Sequence, residues 1–196
     1  MSLRRGFKAE AERIAAEIRS ELSLNTTSRL DPHALAAHLE IPVLKIRDCA
    51  RLAENGASLR HLTHADPDSF SAITVFIGTR RFIIHNEAHA PTRQANDIVH
   101  EVAHCLLEHP PSPVTDHRGC RCWNKTLEDE ANWLAGALLV PREGALALAR
   151  SGMTIADIAA NFGVSEQLCR WRIYQTGVAH QLRAGMRWSH SSRRAL

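Results

Sequence analysis

Hydrophobic positions recur at helical spacing through most of this 196-residue chain. Apolar residues three or four apart predict helices over residues 7–22, 31–39, 91–108, 126–140 and 142–150, and a pair of helices within 153–173. Proline supports several of these boundaries, because it suits a first helical turn and stops a helix that is under way. The pattern therefore predicts a mostly helical chain.

Three short β-branched or aromatic runs interrupt the helices in the first half of the chain. They lie at residues 41–46, 72–77 and 81–85, with Gly78-Thr79-Arg80 between the last two. Such runs favour strands, and the short turn favours a hairpin. The polar stretch from Arg47 to Ser69 is predicted to be irregular. We expect an α+β fold, mostly helical, with a small three-stranded sheet packed beside the helix over 91–108.

Composition favours one compact enzyme-sized domain with small appendages. Hydrophobic residues make up 44% of the chain, which is enough for a real core. We see neither an apolar run long enough to cross a bilayer nor a signal-peptide core, so we expect a cytoplasmic protein that makes no membrane contact. The net charge of +3 says little about partners. Five scattered cysteines favour reduced thiols over a disulfide framework.

The most informative motif lies inside the helix predicted over 91–108. His100-Glu101-Val102-Ala103-His104 reads HExxH, which places two imidazoles one helical turn apart on one face. Neutral imidazole nitrogens suit Zn²⁺, which lowers the pKa of a bound water toward about 7. The adjacent carboxylate of Glu101 can take that water's proton. The spacing predicts a hydrolytic metal site, with Glu101 as the catalytic base.

A third protein ligand is expected from the helix predicted over 126–140, because catalytic zinc sites take three protein ligands and keep one position open. Glu128 shares the side of this helix that faces inward, whereas Glu130 falls about 200° away and is predicted to be solvated. We predict His100, His104 and Glu128 as the metal ligands. Glu130 is the replacement ligand if Glu128 only stabilises the helix N-terminus.

Asn132 and Trp133 lie near Glu128 on the same predicted helix. Asn132 is one turn away and can orient Glu128 through a hydrogen bond, or it is an ordinary solvent-facing amide. Trp133 is predicted to pack in the core rather than to touch a substrate. Cys105 follows a predicted ligand directly but points about 100° away from it, which favours a buried thiol over a ligand.

The segments HEVAHCLLEH and EDEANWLAGALLVP together resemble the ImmA/IrrE metallopeptidases. That family's pattern is HExxH, a variable loop, and a helix reading E-x-x-A-N with small and apolar residues up to a proline. The resemblance extends loosely over residues 31–180 and implies a minimal gluzincin-like peptidase fold. It also implies that Glu128 is the remaining zinc ligand and Glu101 the HExxH glutamate. By resemblance, the substrate is a helix-turn-helix transcriptional repressor, and the role lies in stress response or transcription regulation.

The chain is predicted to have three parts. Residues 1–150 form the zinc metallopeptidase domain, residues 151–182 a helix-turn-helix-like pair, and residues 183–196 a mobile basic tail. In the pair, Ala159, Gly163 and Cys169 stand where such motifs place a small residue, a turn glycine and a buried apolar residue.

Several alternatives stay open from the sequence. A regulator with a structural metal could bind DNA through Arg170 and Arg172, although these make a thin phosphate-binding face. A third interpretation is a stress-response protein that recognises a partner without cutting it. Mn²⁺ or Fe²⁺ could replace Zn²⁺, and no other cofactor is predicted. His117 with Cys120 and Cys122 makes a weak second metal candidate.

Neither the oxyanion donor nor the substrate-binding edge can be assigned from sequence. An edge strand beside the HExxH helix could pair with an extended substrate, or the strands could simply cover the helices. The oxyanion candidates, for each of which a surface role is the simpler explanation, are His85, His89, Arg93, His117 and Tyr174.

Overall fold

A computed structural model describes residues 3–52, 70–110 and 124–182. The helices are α1 (Phe7–Glu21), α2 (Pro32–His38), α3 (Ile46–Leu52), α4 (Pro91–Leu106), α5 (Lys125–Leu139), α6 (Arg142–Arg150), α7 (Ile155–Phe162) and α8 (Glu166–Gln175). Residues 178–182 are also helical. Every helix that the apolar spacing predicts is present, with ends within two residues of the predicted ones. The mostly helical α+β class is confirmed.

A three-stranded sheet packs beside α4. Its strands are β1 (Val43–Lys45), β2 (Ala72–Ile77) and β3 (Arg80–His85), in the order β1-β3-β2. β1 pairs with β3 in parallel, and β2 pairs with β3 as an antiparallel hairpin that sets Ala72 opposite His85. The predicted hairpin is confirmed. Within the described part of the chain, β1 and β2 are therefore the two outer strands.

The irregular segment predicted from Arg47 to Ser69 is wrong at its start. Residues Ile46–Leu52 form α3, which follows β1 directly. Ile46 is buried, so the short helix is held by its first apolar residue rather than by a long amphipathic stripe. The remainder, 53–69, lies outside the described residues.

The core is built around the packing of α4 against α5, with α1 on another side of α5. The apolar stripes predicted for the two helices are the surfaces in contact. Their fully buried members are Val99, Val102, Ala103, Ala131, Leu134 and Leu138. Burying a leucine or valine side chain contributes about 1.5–3 kcal/mol, so this seam fixes how the helices are rotated. The two histidines and Glu128 flank that seam.

The C-terminal helix pair has the local form that the sequence predicts. Thr154 and Asp157 make a capping box at the start of α7, and Gly163 ends it in the left-handed region at φ 69°. Ser165 caps α8 by accepting a hydrogen bond from the Leu168 N–H. Ala159 and Cys169 are buried, and burial raises the pKa of the Cys169 thiol to about 11. The bounds of these two short helices therefore follow from their caps and from a turn glycine.

α8 packs against α5, the helix that carries Glu128. The Trp171 ring meets the Trp133 ring edge-on, with centroids 5.5 Å apart. Gly136 permits this approach, because a Cβ there would lie 2.8 Å from Arg172 Cδ. Trp133 is 2% exposed, which confirms its predicted core role.

Arg172 is buried and does not lie on a phosphate-binding face. It is 1% exposed, and its Nη2 donates to Glu12 Oε1 at 2.6 Å while its Nε donates to the Val140 carbonyl at 3.2 Å. Burial lowers the pKa of Arg172, and Glu12 opposes that shift. Arg170 is exposed, 3.8 Å from Glu166. Of the two arginines that would form the thin phosphate-binding face of the DNA-binding alternative, Arg172 is a core residue and Arg170 is exposed.

Some expectations fall outside the described residues. The tail at 183–196 and the group of His117, Cys120 and Cys122 lie outside the described residues. Cys49, Cys105 and Cys169 carry free thiols. Cys105 is half-buried rather than buried. In the described segments, none of the helices combines the length and apolarity that a bilayer crossing needs.

Candidate metal centre

The three predicted ligands converge. His104 Nε2 lies 3.1 Å from His100 Nε2. Glu128 Oε2 lies 3.2 Å from His100 Nε2 and 3.6 Å from His104 Nε2. Among residues 3–52, 70–110 and 124–182, this is the group of histidine, cysteine and carboxylate side chains whose donor atoms could hold a metal ion. Two helices thus direct three donors toward one point.

Local structure explains the placement of each donor. The histidines lie in the interior of α4, one turn apart, and their rings meet at 74° with centroids 4.7 Å apart. Glu128 lies in the first turn of α5, where the Asn124 side chain caps the helix by accepting from the Thr126 and Leu127 N–H groups. A carboxylate is stabilised near that positive helix end, and the cap fixes the turn that carries it.

The spacing of the donors fits a tetrahedral metal ion. Two ligands at the usual zinc distances of about 2.0–2.1 Å, separated by a tetrahedral angle, lie about 3.3–3.4 Å apart. The three observed separations, 3.1, 3.2 and 3.6 Å, bracket that value. Two imidazoles and one carboxylate are also a common catalytic zinc set. The residues present therefore fit a zinc ion, and the same donors suit Mn²⁺ or Fe²⁺.

The electrostatics favour an ionised Glu128. Hydrogen bonds with His100 and His104 hold the pKa of the Glu128 carboxyl well below its ordinary value. Burial acts to lower the pKa of His100, but the hydrogen bond to Glu128 and the charges of Glu101 and Asp97 raise it overall. An ionised carboxylate beside two imidazoles suits a divalent cation.

Glu101 is held by the sheet. The Thr74 hydroxyl on β2 donates a hydrogen bond of 2.7 Å to Glu101 Oε2. Glu101 is half-buried beside the two histidines on α4. No spacing in the sequence relates a strand threonine to the glutamate 27 residues later. Sequence reasoning missed Thr74, and only the packing of β2 on α4 reveals it.

Thr74→Val tests this contact. Valine has nearly the same shape and suits a strand, so the sheet should be unchanged while the donor to Glu101 is lost. Hydrogen bonds to charged groups are worth about 1.5–3 kcal/mol, so the kcat of the hydrolysis predicted from the HExxH motif should fall by roughly 10-fold or more. Steady-state kinetics would measure the fall. Thr74→Ser, which keeps the hydroxyl, should stay near wild type, and equal activities for both variants would contradict this role.

The predictions for Glu130 and Asn132 have different outcomes. The predicted solvation of Glu130 is wrong, because the residue is 5% exposed and its Oε1 accepts a 3.1 Å hydrogen bond from Arg4 Nε. Glu130 also lies outside the group of three converging side chains. The structure therefore places Glu128, and not its alternative Glu130, beside the two histidines. Asn132 is solvent-exposed, and its role in orienting Glu128 stays a prediction.

Two of the five oxyanion candidates are buried, so the surface role suggested for them is wrong. His85 is 2% exposed, and burial lowers its pKa, which keeps the ring neutral. His89 is 8% exposed, and its Nδ1 lies 3.6 Å from Asp97 on α4. Arg93 and Tyr174 are exposed, and His117 lies outside the described residues.

The comparisons with known proteins add one finding. Residues 34–174 match the family model described as Peptidase_M78, IrrE N-terminal-like domain. The match covers more than two thirds of the chain and includes the sheet, both ligand-bearing helices and most of the C-terminal pair. No curated protein matches the chain.

Proposed function

Because this chain belongs to the Peptidase_M78 family of IrrE N-terminal-like domains, we propose that it is a zinc-dependent endopeptidase that hydrolyses a peptide bond in a protein substrate. The observation that carries the proposal is the convergence of His100, His104 and Glu128 beside Glu101. A structural zinc site is closed by four protein ligands, whereas three ligands with an adjacent carboxylate are typical of hydrolysis.

Each side chain at the site has its own role in the proposed reaction. His100, His104 and Glu128 would hold the ion, which supplies a Lewis acid that polarises a carbonyl and lowers the pKa of water toward about 7. Glu101 accepts the proton from the attacking water and then delivers it to the leaving nitrogen. Thr74 occupies Oε2 of Glu101 and so orients the other carboxylate oxygen for proton transfer.

The outer strand β2 supports a role for an extended substrate segment. It is an edge of the described sheet, and Thr74 links it to Glu101. A flexible peptide that paired with such an edge would place its backbone close to the base, with main-chain hydrogen bonds providing affinity. We propose a helix-turn-helix transcriptional repressor as the substrate, met in the cytoplasm, on the resemblance to the ImmA/IrrE metallopeptidases.

A cleavage assay in which the metal is removed and then added back tests the proposed function. Zinc-loaded protein incubated with a helix-turn-helix repressor should produce a discrete fragment, seen by gel electrophoresis and mass spectrometry. A chelator should abolish the fragment and added Zn²⁺ should restore it. Zinc at about a thousand times its Kd should also raise the free energy of unfolding by about 4 kcal/mol.

The same experiment separates the competing interpretations. Salt-sensitive DNA binding without a fragment would favour the regulator with a structural metal. A stable complex with the repressor and no cleavage would favour a binding protein. Cleavage that persists in demonstrably metal-free protein would overturn the metal-dependent mechanism.

A further inference from the structure

Behind His104 lies a set of polar contacts that the hydrolytic mechanism does not use. His109 Nδ1 lies 2.9 Å from His104 Nδ1, and His109 Nε2 lies 3.6 Å from Glu130 Oε2. The other oxygen of Glu130 accepts the hydrogen bond from Arg4. The side chains of His109 and Glu130 are each 6% exposed. A predicted metal ligand is therefore connected through a buried imidazole to a buried carboxylate.

The direction of these contacts follows from the atoms involved. His104 turns Nε2 toward His100 and Glu128, so a neutral ring that coordinates through Nε2 carries its proton on Nδ1. That proton points at His109 Nδ1, which must then accept. The proton of a neutral His109 is consequently on Nε2, the atom that faces the Glu130 carboxylate. The arrangement permits one tautomer for each ring.

The backbone at the end of α4 is built to bring the two rings together. Glu108 adopts φ 52°, in the left-handed region, and the His109 N–H then donates to the His104 carbonyl at 3.0 Å. A residue other than glycine in that region costs about 1–2 kcal/mol. The chain thus turns back at Glu108, and His109 is held to His104 through both its backbone and its side chain.

We propose that His109 and Glu130 are positioning residues for the metal ligand His104. His109 holds the His104 ring in the orientation and tautomer that coordinate through Nε2, and Glu130 holds His109 in the tautomer that can accept. Groups in this position around metal-bound histidines change metal affinity or activity by 10–100-fold when they are removed. The proposal rests on the metal site of the proposed function and not on peptide cleavage itself.

Two substitutions at residue 109 separate positioning from packing. Leucine fills similar volume and accepts no hydrogen bond, whereas asparagine can present its amide oxygen near the position of Nδ1. We expect His109→Leu to weaken zinc binding about 10–100-fold and His109→Asn to recover much of that loss. The Zn²⁺ dissociation constant is measured by competition with a chromophoric chelator. Circular dichroism and Tm of the metal-free proteins check that each variant folds.

His38 provides the matched control. It is a more exposed histidine that also contacts a glutamate, with Nε2 2.8 Å from Glu21 Oε2. His38→Leu should leave the zinc dissociation constant unchanged. Wild-type affinity in His109→Leu, or equal losses in the leucine and asparagine variants, would overturn the positioning role.

A measurement on the unsubstituted protein does not depend on any variant folding. Long-range ¹H–¹⁵N spectra of the zinc-loaded protein report which ring nitrogen carries the proton. We expect the proton on Nε2 for His109 and on Nδ1 for His104, and the opposite tautomer at His109 would overturn the proposal. Zinc affinity that depends on His109 in a protein that cuts no peptide would uphold the positioning role while the peptidase proposal fails.

Discussion

Glu101→Gln should lower kcat by about 10²–10⁴-fold while zinc stays bound. The amide has nearly the shape of the carboxylate and can still accept the hydrogen bond from Thr74, so the packing of β2 on α4 should persist. It cannot take a proton from water, so the general base is lost. None of the three proposed ligands changes. Kinetics on a cleaved substrate measure the fall in kcat, and elemental analysis of the purified variant measures the bound zinc.

Glu143→Gln is the control for the change from carboxylate to amide. Glu143 is exposed in the first turn of α6, away from the ligand set, so kcat should match wild type. Turnover of Glu101→Gln near the wild-type rate would show that another group is the base. Loss of zinc from that variant would show that Glu101 itself contributes to metal binding.

Glu12→Leu should destabilise the fold by about 3–5 kcal/mol, because it leaves the Arg172 guanidinium buried without its charged partner. The pair joins α1 to α8 at 2.6 Å, with the arginine 1% exposed and the Glu12 side chain 29% exposed. In a chain of this size the loss corresponds to a fall in Tm of roughly 6–20 °C. Thermal and urea unfolding followed by circular dichroism would measure it.

Glu17→Leu and a double variant complete this test. Glu17 lies on the same helix in an exposed pair with Arg13, so its replacement should cost less than about 1 kcal/mol. Glu12→Leu combined with Arg172→Leu should be more stable than Glu12→Leu alone, because an apolar pair replaces an uncompensated charge. Equal losses of stability on replacing Glu12 and Glu17 would show that the buried pair contributes no more to the free energy of unfolding than the exposed pair.

Much of the fold and of the site was predictable because the signals are local. The apolar spacing of α4 and α5 locates both helices, and the HExxH interval places His100 and His104 on one face. The choice of Glu128 over Glu130 follows from which side of α5 meets the apolar seam, and the structure brings that carboxylate to the two imidazoles. The hairpin follows equally from two β-branched runs and a glycine turn.

The error at Glu130 shows where periodicity stops being informative. A residue about 200° from the inward face of a helix is solvated only if that helix has a solvated face. Of residues 129–139 in α5, all but Asn132 are buried, because α1, α4 and α8 surround the helix. Arg4 can therefore meet Glu130 across 126 residues of sequence, and periodicity in one helix carries no information about its neighbours.

The sequence by itself determined the helices, the hairpin and the residues of the candidate metal centre, because each signal depends on residues a few positions apart within one element. Only the tertiary structure decided that Arg172 is a core residue, that the Thr74 hydroxyl donates to Glu101, and that the His109 ring contacts the His104 ring. The first two contacts join separate elements, and the third needs the chain to turn back at Glu108. Their energies depend on burial and on direction between groups, which become defined only when the elements pack.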